Sequence, residues 1–202
     1  NSTANNNIAV GYQALLSNTT GTENIAVGAL ASDASTTASY NVAIGHKALT
    51  TCTTGSINVA IGREAMENLN TGTKNVGIGR SALVALTTGE ENTAVGDAVA
   101  ASCTTGNTNT AVGNAAMKLT TTASNLVAVG REALYSNTTG TKGTAIGYQA
   151  GYSNTTGASN TSVGYQALYS VTSNGFNTAV GKSCLNANTA VGNTAVGYDA
   201  ME

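Results

Sequence analysis

Asn92-Thr93-Ala94-Val95-Gly96 is followed 17 residues on by Asn109-Thr110-Ala111-Val112-Gly113, and close variants, Asn-Val-Ala-Ile-Gly, occupy 41–45 and 58–62. The closing glycine recurs at Gly11, Gly28, Gly45, Gly62, Gly79, Gly96, Gly113, Gly130, Gly147, Gly164 and Gly181, a spacing of 17 residues throughout. A period this strict marks a short unit that cannot bury its own apolar side and is stacked on copies of itself. The chain therefore reads as an all-β parallel solenoid with 17-residue turns.

Successive side chains of a strand point to opposite faces, and the five-residue phrase alternates accordingly. Its middle position is small at nearly every turn (Ala43, Ala60, Gly77, Ala94, Ala111), while the flanking positions are Val, Ile or Thr. Neither set carries charge. The small column fits the inside of a flattened coil, together with a second apolar column at Leu15, Leu49, Met66, Leu83, Met117, Leu134 and Leu168.

The β-branched flanks then point out of the coil. Ile8, Val10, Val42, Ile44, Val59, Ile61, Val95 and Val112 belong to a charge-free stripe running the length of the chain. Each side chain left in water would forgo roughly 1.5–3 kcal/mol of burial. A stripe of that size is expected to be an interface, and a parallel homotrimer about a shared axis lets the same stripe meet its copies at every level.

Asn41, Asn58, Asn92 and Asn109 open their phrases and should stack, their amides hydrogen-bonding along the axis. Leu126 and Gly143 interrupt this column, and Asn125 is expected to take over the role in its own turn. Gly45, Gly62, Gly96 and Gly113 supply the positive φ or close approach that lets the chain fold back. Thr-Thr-Gly at Thr19, Thr53, Thr87, Thr104, Thr138 and Thr155 forms the opposite corner. Residues 1–6 read as a polar lead-in and 7–181 as the regular solenoid. In 182–202 the glycine spacing shortens, as expected of a cap. The chain stops in mid-unit at Glu202, as an excerpt of something longer would.

Only 9% of the residues are charged and the net charge is −2, which gives no electrostatic case for nucleic acid or an anionic membrane. Charges cluster just after the key glycine (Lys47, Arg63, Glu64, Arg80), just before the asparagine (Glu23, Lys74, Glu91) and at one place in the second segment (Asp33, Glu67, Lys118), marking the wet surface. No apolar run approaches the ~20 residues that span a bilayer. Of three cysteines, Cys52 and Cys103 lie three turns apart, about 14 Å at cross-β spacing and beyond the ~7 Å a disulfide allows. They read as small core fillers, and no metal-ligand spacing or cofactor motif appears. His46, the one histidine, falls in an exposed column, so an enzyme is not expected.

Tyrosines form two columns, Tyr135, Tyr152 and Tyr169 in one, Tyr148 and Tyr165 in the other. Rings at this spacing stack on each other, and a flat apolar face with a polar tip also suits contact with a glycan. Sequons at Asn18, Asn137, Asn154 and Asn160 are expected by chance in so Asn- and Thr-rich a chain. The threonine column raises an alternative, an ice-binding face, which needs two outward threonines per turn with one residue between them; here the pair is adjacent.

The Asn-Val-Ala-Ile-Gly phrases, and the stretch from Asn160 to Leu168, resemble the head repeats of trimeric autotransporter adhesins and related bacteriophage tail-fibre repeats. The resemblance implies a left-handed parallel β-roll assembled as a trimer. It would serve outside the cell, on a virion tail fibre or a cell surface, as a shaft or head that meets a host-surface glycan or protein receptor. The adhesin unit is shorter than 17 residues, so the second segment must form a larger loop or an extra strand here.

Overall fold

The computed structural model describes residues 3–201. The chain is an all-β parallel solenoid of three-residue strands: β1 (Ile8–Val10), β2 (Ile25–Val27), β3 (Val42–Ile44), β4 (Val59–Ile61), β5 (Val76–Ile78), β6 (Thr93–Val95), β7 (Thr110–Val112), β8 (Val127–Val129), β9 (Thr144–Ile146), β10 (Thr161–Val163), β11 (Thr178–Val180) and β12 (Thr194–Val196). They form one sheet in sequence order, each strand parallel to the next and in register, so that Ala43 lies over Ala60 and Val42 over Val59. At about 4.8 Å per step the stack is about 53 Å long. Asn1, Ser2 and Glu202 lie outside the described residues.

The core is a narrow seam in which small and large columns face each other. Ala43, Ala60 and Ala94 of the strands are buried opposite Leu49, Met66 and Leu83. At two places a change of volume on one side of the seam is matched by its neighbour, as close packing favours. At Gly77 the usual alanine is missing, and a Cβ there would sit 3.1 Å from Met66 Cγ. At Ala100 the large residue is missing, and Val99 next to it replaces the usual alanine.

Gly62 shows why the period is fixed by glycine. Its φ is +132°, and a Cβ would lie 2.5 Å from the carbonyl oxygen of Gly79 on the next turn. Only a residue without a side chain lets consecutive turns approach so closely.

The second segment forms a loop and adds no strand. Its backbone alternates hand: Lys47, Leu49 and Ile57 in one turn have φ of 57°, 56° and 62°, and the pattern recurs in other turns. Such conformations cost an L-residue of order 1–3 kcal/mol each and persist only where their surroundings demand them. The demand is hydrogen bonding along the axis. Lys47 donates its amide to Ala29 O (3.0 Å), Leu49 to Ala65 O (3.0 Å) and Ile57 to Ser39 O (3.1 Å), so each left-handed residue ties its turn to a neighbour.

Two local departures from the sequence-based expectation have physical reasons. Asn125 does not replace the missing asparagine: it is exposed, while Leu126 stays in the column, buried, its amide donating to Asn109 Oδ1 at 3.0 Å. Sliding the chain by one residue would have turned every following side chain to the other face. Beyond Gly181 the next turn is one residue shorter, yet β12 pairs in register with β11, Thr178 against Thr194. Gly197, with φ +136°, takes the place of the key glycine; Gly192 lies in the preceding loop.

Candidate functional site

The outward face of the sheet is two side chains wide. Ile8 and Val10 at one end are 53% and 57% exposed, and Val112 in the middle of the stack is 37% exposed. Ile44, Ile146 and Val180 are likewise exposed; Val42, Val59, Ile61 and Val95 are half-buried by their neighbours above and below. All eight residues expected at an interface therefore point away from the core. From β6 onward the pair is mostly Thr followed by Val or Ile, with one inward residue between them.

A second surface lies on the loop side. Tyr135 and Tyr152 stack with centroids 5.1 Å apart and planes 11° apart, Tyr152 and Tyr169 at 5.1 Å and 14°, and Tyr148 and Tyr165 at 5.3 Å and 16°. The expected stacking is thus present, and it has a chemical consequence: the ring faces cover one another. Cations cover three of the four outer faces of these stacks, all but that of Tyr169. Lys118 Nζ lies 5.8 Å from the Tyr135 centroid, Arg131 Cζ 5.9 Å from that of Tyr148, and Lys182 Nζ sits between Tyr165 (6.0 Å) and Tyr198 (4.9 Å). Between the columns runs an amide ladder, Gln166 Nε2 to Gln149 Oε1 (2.8 Å) and Gln149 Nε2 to Glu132 Oε2 (2.7 Å). Burial raises the Tyr152 phenol's pKa, and Glu132 and the neighbouring tyrosines add to the rise. The two tyrosine columns and the amide ladder share one surface.

The Thr-Thr-Gly corner offers less than its sequence implies. The first threonine of each pair donates its hydroxyl to the next turn, Thr19 to Thr36 O (2.9 Å), Thr87 to Thr104 O (3.0 Å) and Thr138 to Thr155 O (3.0 Å). One hydroxyl per turn is left for solvent, on Thr20, Thr88 or Thr139. A shallow groove of about 580 Å³ beside this corner is lined by Thr51, Thr53, Asn68, Asn70 and Thr87. Thr51, Thr53 and Asn68 likewise direct donors to the chain's own oxygens.

The sequons close as glycosylation sites in the folded chain, since Asn18, Asn137, Asn154 and Asn160 are buried. Asn18 accepts from Gly21 N and donates to Gly21 O, both at 3.0 Å, and Asn137 and Asn154 donate to Gly140 O and Gly157 O in the same way. They pin the corner that leads into the next turn. Sequence reasoning missed the place that Asn18, Asn137 and Asn154 share, seven residues after the key glycine, because other turns put Ser35, Cys52, Leu69 or Leu86 there. Cys52, Cys103 and Cys184 are free and buried; burial pushes the Cys52 thiol up to about 11. Exposed His46 stands in the column next to the key glycine, and among the described residues no cluster of His, Cys, Asp or Glu could hold a metal. Among them, too, no helix is long and apolar enough to cross a membrane.

Comparison with protein families, with curated proteins and with solved structures finds no match to this chain.

Proposed function

We propose that the chain is a structural, non-enzymatic segment of an extracellular fibre or adhesin: a left-handed β-roll whose copies assemble as a parallel homotrimer. It acts as a rigid shaft or head of a phage tail fibre or cell-surface appendage used in host or surface attachment. One observation carries this reading, the unbroken outward stripe of Val, Ile and Thr along twelve strands. Covering two such columns would contribute on the order of 10 kcal/mol, enough to order an assembly and too much to leave facing water without cause. The axial hydrogen bonds of every turn supply stiffness, and the variable polar columns are free to change without disturbing the core. Val95→Asp or Val112→Asp should dissociate the assembly with its β content retained, read by light scattering and circular dichroism. An unchanged molar mass would place the interface elsewhere.

A second reading draws on the same face. From Thr93 to Val196 most turns present one threonine and one aliphatic side chain with a single residue between them, a regular outward array with the spacing an ice-binding face uses and one of its two threonines per turn. That reading requires the face to meet water in a monomer. Thermal hysteresis from a monomeric sample would establish it, and a trimer without hysteresis would dismiss it.

A further inference from the structure

We propose that the surface formed by the two tyrosine columns and the glutamine ladder binds an anionic polysaccharide, a linear glycan bearing carboxylates or sulfates. The inference rests on reading the chain as an attachment segment and names the class of ligand that segment meets.

Stacking and cations close most of the tyrosine faces, so this surface presents ring edges, phenol hydroxyls, amides and ammonium groups. Nucleobases bind by stacking on open aromatic faces and find few here. A polyol needs in-plane donors and acceptors in rows. The hydroxyls of Tyr135, Tyr152 and Tyr169 form such a row at one per turn, about 4.8 Å, close to the length of one pyranose.

Charge selects the acidic class independently. Residues 1–101 hold four cations against seven carboxylates and residues 102–202 four against three, together the chain's net −2. The tyrosine ladders all lie in the second half. In the first half the four cations are all ion-paired, Lys47 with Glu67, Arg63 with Glu64, Lys74 with Glu91 and Arg80 with Asp97. On the tyrosine surface Arg131 pairs with Glu132, while Lys118 and Lys182 form no ion pair among the described residues. These two ammonium groups stand four turns apart, about 19 Å along the axis, where a polymer lying along the stack would bring acidic groups about four sugars apart.

The test is binding of the full chain to immobilised alginate, heparin, neutral dextran and a single-stranded oligonucleotide, at low and high salt. The expected result is salt-sensitive binding to alginate or heparin and none to dextran. Lys118→Ala with Lys182→Ala should weaken it by about tenfold. Tyr135→Phe with Tyr152→Phe and Tyr169→Phe should weaken it too, since the stack survives and only hydroxyls are lost. Lys47→Ala with Lys74→Ala, a control in the other half, should leave it unchanged. Absence of binding to both acidic glycans, equal binding to dextran, equal or tighter binding to the oligonucleotide, or an equal loss in the control would each overturn the proposal. Molar mass keeps the two readings apart: a trimer that ignores acidic glycans removes only this inference, and a monomer that binds them removes only the assembly.

Discussion

The backbone amide of Asn41 donates to the side-chain oxygen of Asn24 one turn away, at 3.0 Å, and Asn58 repeats the bond to Asn41 at 2.8 Å. At the same time the Asn41 amide nitrogen donates to Gly55 O at 2.8 Å, closing the corner where the next turn begins. The buried Asn41 side chain thus binds the following turn twice, through Gly55 O and Asn58 N, while its backbone N–H hangs from the side chain of the turn before, and the spine continues as far as Asn109.

Asn58→Ala removes the acceptor of the Asn75 amide (2.9 Å) and the donor to Gly72 O (3.0 Å), leaving two buried groups without partners. The expected loss is about 2–3 kcal/mol. Because a solenoid opens locally, the clearest readout is hydrogen exchange, fastest at Asn75 and its neighbours and little changed six turns away, at β11.

Gly62→Ala meets Gly79 O at 2.5 Å with a backbone at φ +132°. Both the overlap and the conformation oppose it, so the loss should reach about 3 kcal/mol or more. Thermal unfolding of this variant against the milder Gly77→Ala, where the obstacle is the flexible Met66 side chain, checks the distinction.

Ser32 stands where other turns place Leu15 and Leu49, and it and Ser35 keep buried hydroxyls without a hydrogen-bond partner. Its φ of 50° matches the 51° and 56° of those leucines, so the backbone already accepts the larger residue. Ser32→Leu should raise stability by about 1–2 kcal/mol, measured as the shift in denaturant midpoint.

Burial raises the Cys52 thiol from its ordinary 9.0 to about 11, so the folded state favours the protonated form. A raised acid pKa gives stability that is complete below pH 9 and lost as pH climbs through 11, an effect of about 2–3 kcal/mol at most. Cys52→Ala should flatten the stability curve in that window. In the native protein the thiol should stay unreactive toward alkylating agents until the chain unfolds.

Glycine period, inward alanines, outward Val and Ile, the asparagine spine and the stacking of Tyr135, Tyr152 and Tyr169 were all legible, because each follows from a two-residue alternation or from identity at a fixed interval. The path of the loop was not. Left-handed conformations fall on Lys47, Leu49, Met66 and Ile57, residue types that ordinarily avoid them, so nothing in their identity announces a backbone set by hydrogen bonds to adjacent turns. Asn125 misled for a related reason: the asparagine that looked displaced is a solvent-facing residue, and the column kept its place by accepting Leu126. On the candidate surfaces, the sequence placed the tyrosines in columns. That their faces are closed by each other and by Lys118, Arg131 and Lys182 depends on ring orientation, which spacing does not encode.

The central claim is that the Val-Ile-Thr face of the sheet is covered by other copies of the chain. Light scattering on the purified protein tests it directly: the account predicts three times the mass of one chain, and a stable monomer with Val95 and Val112 open to water would contradict it.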